Sequence, residues 1–134
     1  MALYKYILPV MNDDGRIIIT SSVAGLSGSA GKNAYNTSKH AVIVTMRTVA
    51  LETAPGKPTV NTVHPSSVDK RMIRPRAGFD EKDADAAKAE LEKVIPPGSY
   101  AQPDEIADLV VFLTSNERKF MTETTNVVDG GMQA

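Results

Sequence analysis

The spacing of apolar side chains changes along the chain, and each change predicts an element. Residues 16–20 contain three consecutive isoleucines, and such unalternating runs are typical of strands covered on both faces, as in a parallel sheet. The stretches 59–63 and 125–129 are predicted as the second and third strands. Helical spacing predicts a helix over 34–53 and another from Pro103, since Pro and acidic residues favour a first helical turn. Residues 1–11 indicate the end of a helix, and the charged stretch 80–95 a surface helix or a mobile flap.

Strands that alternate with helices in this order predict an α/β fold with a parallel sheet and right-handed crossovers. The chain has 134 residues, so we expect one domain over 1–134. In the helix over 34–53, three- and four-residue steps place five side chains along one face: Ala41, Val44, Thr45, Thr48 and Leu51. The strand over 16–20 is expected to expose an unpaired apolar edge, which favours self-pairing, aggregation or partial disorder.

Composition removes several classes of function. The chain has no cysteine and a formal charge of −1, which excludes a disulfide scaffold, thiolate chemistry and a global basic field for nucleic acid. The two histidines, His40 and His64, lack a paired carboxylate spacing, so no metal site is expected. Neither a signal peptide nor a bilayer-spanning stretch is recognisable. We therefore expect a cytoplasmic protein with no nucleic-acid or membrane partner.

Three residues form a candidate catalytic set. Ser22 follows the first predicted strand, where open α/β sheets place their ligands. Tyr35 and Lys39 are four residues apart on the next helix, so they share one face. A free phenol is a poor acid–base catalyst at neutral pH, but a nearby ammonium group stabilises the phenolate. With Ser22 bonded to a substrate oxygen, this set suits carbonyl–alcohol interconversion with hydride from a cofactor.

An isolated Tyr-x-x-x-Lys match is more often an ordinary helical pair, but here the surrounding sequence adds weight. The stretch 15–25, GRIIITSSVAG, is followed after 13 positions from Ser22 by YNTSKHA at 35–41. Downstream come VNTVHP at 60–65, PDEIA at 103–107 and VVDGG at 127–131. In this order and spacing the chain resembles the short-chain dehydrogenase/reductase family over nearly its whole length.

The resemblance implies a role for each matching residue. Tyr35 would be the catalytic acid/base, Lys39 would support it and bind the nicotinamide ribose, and Ser22 would orient the substrate oxygen. The segment from Pro65 to Val68 would line the nicotinamide, which makes Pro65, Ser66 and Val68 candidate cofactor contacts. Residues 66–100 would form a substrate lid. The family also implies NAD or NADP as cofactor, an alcohol or carbonyl substrate, and an exposed Val42–Met46–Val49 stripe that favours a homo-oligomer.

Parts of the family pattern are missing or altered. No glycine-rich T-G-x-x-x-G-x-G turn is present, so we expect a partial Rossmann-like doubly wound parallel sheet, the last three strands with their helices, and weak or no activity of the chain alone. Gly25, Gly28 and Gly31 have the wrong spacing for such a turn and predict a loop that passes close to the substrate. Ser66, Lys70 and Glu123 replace a glycine, a threonine and a glycine of the family, and the turn at Glu123 favours a positive φ.

Two alternatives to an autonomous enzyme stay open at this point. The chain could be an inactive form that binds a full-length relative, or it could come from an incomplete gene model. A further question concerns the arginines at 71, 74 and 76, which predict a solvated loop rather than a phosphate grip.

Overall fold

The fold is a three-stranded parallel sheet with flanking helices. The computed structural model describes residues 2–56, 58–69 and 81–134. The helices and strands, in chain order, are α1 (Ala2–Ile7), β1 (Arg16–Thr20), α2 (Asn33–Thr53), β2 (Thr59–Pro65), α3 (Glu81–Glu92), α4 (Pro103–Thr114) and β3 (Thr125–Val128). Short 3₁₀ turns occupy Leu8–Val10, Val23–Gly25, Ala54–Gly56 and Asn116–Arg118. The predicted α/β class and all three strands are confirmed, and β2 runs two residues further than expected.

The sheet has the order β1-β2-β3, and both strand pairs are parallel. Ile17 lies opposite Val60, and His64 lies opposite Val127. The central strand β2 is buried along nearly all of its length, because it has a neighbour on each side and helices above it. In the described part of the chain, β1 has a single neighbour, so one of its edges carries unpaired main-chain groups, as the sequence predicted.

The core lies between the sheet and α2. Met46 and Val60 are completely buried, and Ile17 and Ile19 of β1 pack against the same cluster. Since side chains alternate along a strand, Ile18 lies on the other face of the sheet. Helix α4 also packs against β1 and β2, and the main-chain N–H of Gln102 at its start donates to the Glu105 carboxylate at 2.6 Å.

The two apolar faces predicted for α2 are exchanged in the structure. Met46 and Val49, expected in an exposed stripe, are 0% and 4% exposed and belong to the core. Val44 and Leu51, on the other predicted face, are 63% and 71% exposed. Helix α2 carries apolar side chains all round, so periodicity alone does not predict which of its faces meets the sheet.

The turn before β3 adopts the backbone conformation that the sequence indicated. Glu123 has a φ of 61°, in the left-handed region that favours glycine. Its main-chain N–H donates to the Val60 carbonyl at 2.7 Å. A residue with a Cβ is therefore held in a strained backbone conformation at position 123.

Candidate active site

The polar candidates gather at the carboxyl edge of the sheet. Because the three strands are parallel, Thr20, Pro65 and Val128 end at the same edge. The Ser66 N–H donates to the Val128 carbonyl at 3.1 Å, which ties the segment after β2 to β3. This edge is where an open α/β sheet offers space for a ligand.

Ser22 lies just past the end of β1 with an extended backbone and caps the 3₁₀ turn Val23–Gly25. Its Oγ accepts a hydrogen bond from the Ala24 N–H at 3.2 Å. Since a hydroxyl can accept and donate at once, this contact leaves the hydroxyl proton of Ser22 available to a substrate oxygen. The preceding residue, Ser21, still belongs to the ladder, for its N–H donates to the Val63 carbonyl at 2.8 Å.

Tyr35 and Lys39 are brought together on the first turns of α2. The Lys39 Nζ lies 5.8 Å from the centroid of the Tyr35 ring. The same ammonium donates to the Thr20 carbonyl at 3.4 Å, so it bridges from the helix to the last residue of β1. Tyr35 is 43% exposed, which leaves its hydroxyl within reach of a ligand, and no described hydrogen bond joins it directly to Ser22.

A close approach at Gly25 holds the segment after β1 against α2. A Cβ at Gly25 would lie 2.7 Å from the Ser21 Oγ and 2.8 Å from the Lys39 carbonyl oxygen. The Ser21 hydroxyl donates to that same Lys39 carbonyl at 3.0 Å. Gly28 and Gly31 make no comparable approach. The close backbone contact of this loop is therefore with helix α2, and it is confined to Gly25.

The predicted cofactor contacts occupy the continuation of β2. Pro65 is the last residue of the strand. Ser66 faces a pocket of about 220 Å³, lined by Ser66, Ile95, Pro97, Ser99, Tyr100, Ala101, Glu105, Val128, Asp129 and Gly130. Val68 forms a parallel bridge with Ala101 and is only 5% exposed, so little of its side chain is open to a ligand.

His64 is a residue of this region that the sequence analysis considered only as a possible metal ligand. It is completely buried, its Nδ1 lies 2.9 Å from the Ser22 carbonyl oxygen, and its Nε2 lies 2.8 Å from the Thr62 Oγ1. Burial lowers the pKa of His64, and the positive charge of Lys39 lowers it further, while the hydrogen bond to Ser22 acts in the opposite direction. The sequence signal was weak, since nothing local joins positions 22 and 64.

Two further polar side chains organise the loop after β1. Asn36 is 7% exposed and donates from Nδ2 to the Ser27 carbonyl at 3.2 Å. Gln133 donates from Nε2 to the Val23 carbonyl at 3.3 Å and to the Ser27 Oγ at 2.8 Å. The loop is thus bonded both to α2 and to the segment that follows β3.

Some candidates cannot be placed. Lys70 and the arginines at 71, 74 and 76 lie outside the described residues, as does part of the predicted lid over 66–100. Within the residues that are described, no group of three His, Cys, Asp or Glu side chains is arranged to hold a metal ion. Over the same part of the chain, every helix is too short or too polar to cross a membrane.

Comparisons with known proteins agree with this architecture. A family model described as enoyl-(acyl carrier protein) reductase matches residues 1–133. The uncharacterized oxidoreductase YxjF of Bacillus subtilis (strain 168) is 40% identical over 137 residues, which cover 97% of this chain and 53% of YxjF. The chain belongs to the short-chain dehydrogenase/reductase family. Its resemblance to that family, inferred above from the motifs, is confirmed.

Solved structures of short-chain dehydrogenases/reductases place the fold. The ligand-free aldohexose dehydrogenase of Thermoplasma acidophilum superposes with a TM-score of 0.87 and 32% identity, covering 97% of this chain and 53% of that one. The structure of ElxO with NADP bound gives a TM-score of 0.79 and 25% identity over 97% of this chain and 50% of that one. The partial Rossmann-like sheet is confirmed, and the chain spans about half the length of the relatives it matches.

Proposed function

We propose that this chain carries the acid–base site of an NAD(P)(H)-dependent oxidoreductase that interconverts an alcohol and a ketone. Ser22, Tyr35 and Lys39 are its catalytic residues. The observation that supports this most is the position of the Lys39 ammonium, 5.8 Å from the Tyr35 ring and bonded to the end of β1 at Thr20. The relatives of this chain are oxidoreductases. The substrate class and the roles of the individual residues are our proposal.

In the direction of carbonyl reduction, the Tyr35 hydroxyl donates its proton to the substrate oxygen as that oxygen gains negative charge. Lys39 stabilises the phenolate that remains, and the Ser22 hydroxyl donates a hydrogen bond to the same substrate oxygen. In the direction of alcohol oxidation, the Tyr35 phenolate takes the hydroxyl proton of the substrate. In both directions the proton is therefore exchanged between the substrate oxygen and the Tyr35 oxygen.

The residues present fit the nicotinamide half of a dinucleotide cofactor. The Tyr35 hydroxyl and the Lys39 ammonium supply donors suited to ribose hydroxyls, and Pro65 and Ser66 lie at the carboxyl edge of the sheet, where open α/β sheets bind their ligands. The cofactor would supply or accept the hydride. A glycine-rich turn that could hold the pyrophosphate is not found among the described residues. ElxO was solved with NADP bound, but this chain's choice between NAD and NADP is left open.

Cofactor titration followed by a panel of carbonyl substrates tests the proposal. Saturable binding of NADH or NADPH, and turnover that Tyr35→Phe lowers by about 10²- to 10⁴-fold, would support it. Tyr6→Phe is the matched control, because Tyr6 is 69% exposed on α1 and outside the site. Absence of cofactor binding at millimolar concentration would reject an autonomous enzyme.

A second candidate function is pairing with another chain, either a second copy or a longer relative. The α2 face that carries Val44 and Leu51 is exposed beside a groove of about 630 Å³ lined by α1 and α2. The free edge of β1 adds unpaired main-chain groups. Light scattering on Leu51→Lys tests this, with Val111→Lys on α4 as the control, since Val111 is 66% exposed and Leu51 71%. Loss of the associated form in Leu51→Lys alone would support pairing through α2.

Three coarser expectations complete the proposal. We propose that residues 1–134 fold as one domain, that the protein resides in the cytoplasm, and that its substrate is a small molecule rather than a nucleic acid or a membrane lipid. The near-neutral charge of −1 supports the last point, because no basic field is present to attract a phosphate backbone.

A further inference from the structure

The buried imidazole of His64 continues the pairing of β1 with β2 beyond its last main-chain contact. The ladder between these strands ends where the Ser21 N–H meets the Val63 carbonyl. The carbonyl group of the following residue, Ser22, is bonded to the His64 side chain instead, at 2.9 Å. The backbone of Ser22 is therefore held to the central strand by one side chain.

The hydrogen positions follow from what each partner can do. A main-chain carbonyl only accepts, so the His64 Nδ1 must carry the hydrogen in its bond to Ser22. Burial and the charge of Lys39 lower the pKa of His64 and favour the neutral imidazole. A neutral imidazole has one N–H, so Nε2 accepts from the Thr62 hydroxyl at 2.8 Å. The Thr62 hydroxyl has a single hydrogen, so it does not also donate to the Thr124 carbonyl oxygen, which lies 3.3 Å away.

We propose that His64 is a positioning residue of the acid–base site: as a neutral imidazole protonated at Nδ1, it holds the Ser22 carbonyl and thereby fixes the Ser22 hydroxyl relative to Tyr35. This inference rests on the proposed function, since it gives His64 a task in that site. Ser22 is then held at two points, its carbonyl by His64 and its Oγ by the Ala24 N–H. A hydroxyl held in this way loses little freedom when it meets a substrate oxygen.

The arrangement also explains why a histidine can lie close to a cation. Lys39 on α2 carries a positive charge that acts on His64, and a second cation in this buried position would be repelled and poorly solvated. The neutral form avoids that cost and still supplies the one N–H that Ser22 needs. The Ser22 carbonyl and the Thr62 hydroxyl, which are hydrogen-bonded to the ring, carry no charge.

The first test observes the imidazole directly and does not depend on catalysis. The chain has two histidines, so nitrogen NMR of the intact chain, with His40→Asn to assign the signals, identifies the state of each ring. We expect His64 to be neutral and protonated at Nδ1 at pH 7. An imidazolium, or a ring protonated at Nε2, would overturn the inference.

The second test separates positioning from stability. In His64→Asn the side-chain amide can place an N–H near the former Nδ1, whereas His64→Leu has no donor. We expect kcat for carbonyl reduction to fall about 10- to 100-fold in His64→Leu, to recover largely in His64→Asn, and KM for the cofactor to stay nearly constant. Equal loss of kcat in both variants, or full kcat in folded His64→Leu, would overturn positioning.

The two failures can be told apart. If the wild-type chain binds no cofactor and gives no turnover, an autonomous enzyme is rejected and the catalytic task of His64 falls with it. If turnover is present but NMR finds the other tautomer, the inference about His64 alone is wrong. The Ser22 carbonyl carbon resonance is a further check, since it should move in His64→Leu and stay near its wild-type position in His64→Asn.

Discussion

Gly25 packs so closely against Lys39 that a methyl group on Gly25 would lie 2.8 Å from the Lys39 carbonyl oxygen. This contact sets the distance between the segment after β1, which carries Ser22, and the helix that carries Tyr35. The two parts of the proposed acid–base site are therefore joined through a position with no side chain. Substitution there is expected to disturb both stability and the site.

Gly25→Ala is expected to destabilise the protein by about 1–3 kcal/mol, because the added methyl group overlaps backbone atoms that cannot move without shifting α2. Gly28→Ala is the matched control, since a Cβ at Gly28 meets nothing within 4 Å. Urea unfolding of the two variants measures the difference. Equal stability of both variants would show that the close approach is not tight in solution.

Glu123→Gly is expected to stabilise the protein by about 0.5–1 kcal/mol. The φ of 61° at Glu123 is strained for a residue with a Cβ, and glycine relieves the strain at a smaller entropic cost. Glu123→Ala distinguishes backbone strain from charge, because alanine removes the carboxylate and keeps the Cβ. Thermal unfolding should show a higher Tm for the glycine variant only; a similar rise for alanine would assign the effect to the charge.

Stability should fall as the pH drops below about 6.5, the ordinary pKa of histidine. The pKa of His64 is lowered in the folded state, so between that lowered pKa and 6.5 the unfolded chain binds a proton that the folded chain does not, and unfolding is favoured. His64→Asn should flatten this part of the profile of unfolding free energy against pH. The exposed His40 serves as control, and an equal effect of His40→Asn would contradict the assignment to His64.

Lys88 of α3 is expected to fasten that helix to the segment after β2. Its Nζ lies 2.9 Å from the Asp69 Oδ2, and this hydrogen bond raises the pKa of Lys88, so the ammonium form persists throughout the neutral range. Asp69→Asn should increase amide hydrogen exchange over residues 86–92 at pH 7. Glu90→Gln, which breaks the exposed pair with Lys93 just past the end of the helix, should leave exchange unchanged; equal effects would argue against the contact between Lys88 and Asp69.

The strands were predictable because short runs rich in β-branched residues favour extended backbone. The burial on both faces that such runs indicate is reached by β2, whereas β3 alternates between exposed and half-buried residues. Ile17 and Ile19 indeed pack against the core cluster. The orientation of α2 was not predictable, since Met46 and Val44 are both apolar and only the shape of the sheet beneath them decides which is buried. Local periodicity predicts that a helix forms, whereas tertiary packing decides which face of the helix is buried.

Some features of the candidate site were likewise predictable from the sequence, and others were not. The proximity of Tyr35 and Lys39 follows from helix geometry, as residues four apart share a face. The contact of His64 with Ser22 joins positions 42 residues apart in the chain, and the approach of Gly25 to Lys39 depends on how the loop packs on α2. Such contacts have no local signature in the residues and become visible only when the strands are paired.

The coupling between Tyr35 and Lys39 is the central claim, and a double-mutant cycle on carbonyl reduction tests it most directly. Tyr35→Phe removes the proton donor and is expected to lower kcat by about 10²- to 10⁴-fold. If Lys39 acts through Tyr35, the double variant Tyr35→Phe/Lys39→Met should be no slower than Tyr35→Phe alone, because the two groups work as a unit. Multiplied losses in the double variant, or undiminished kcat in Lys39→Met, would contradict the account.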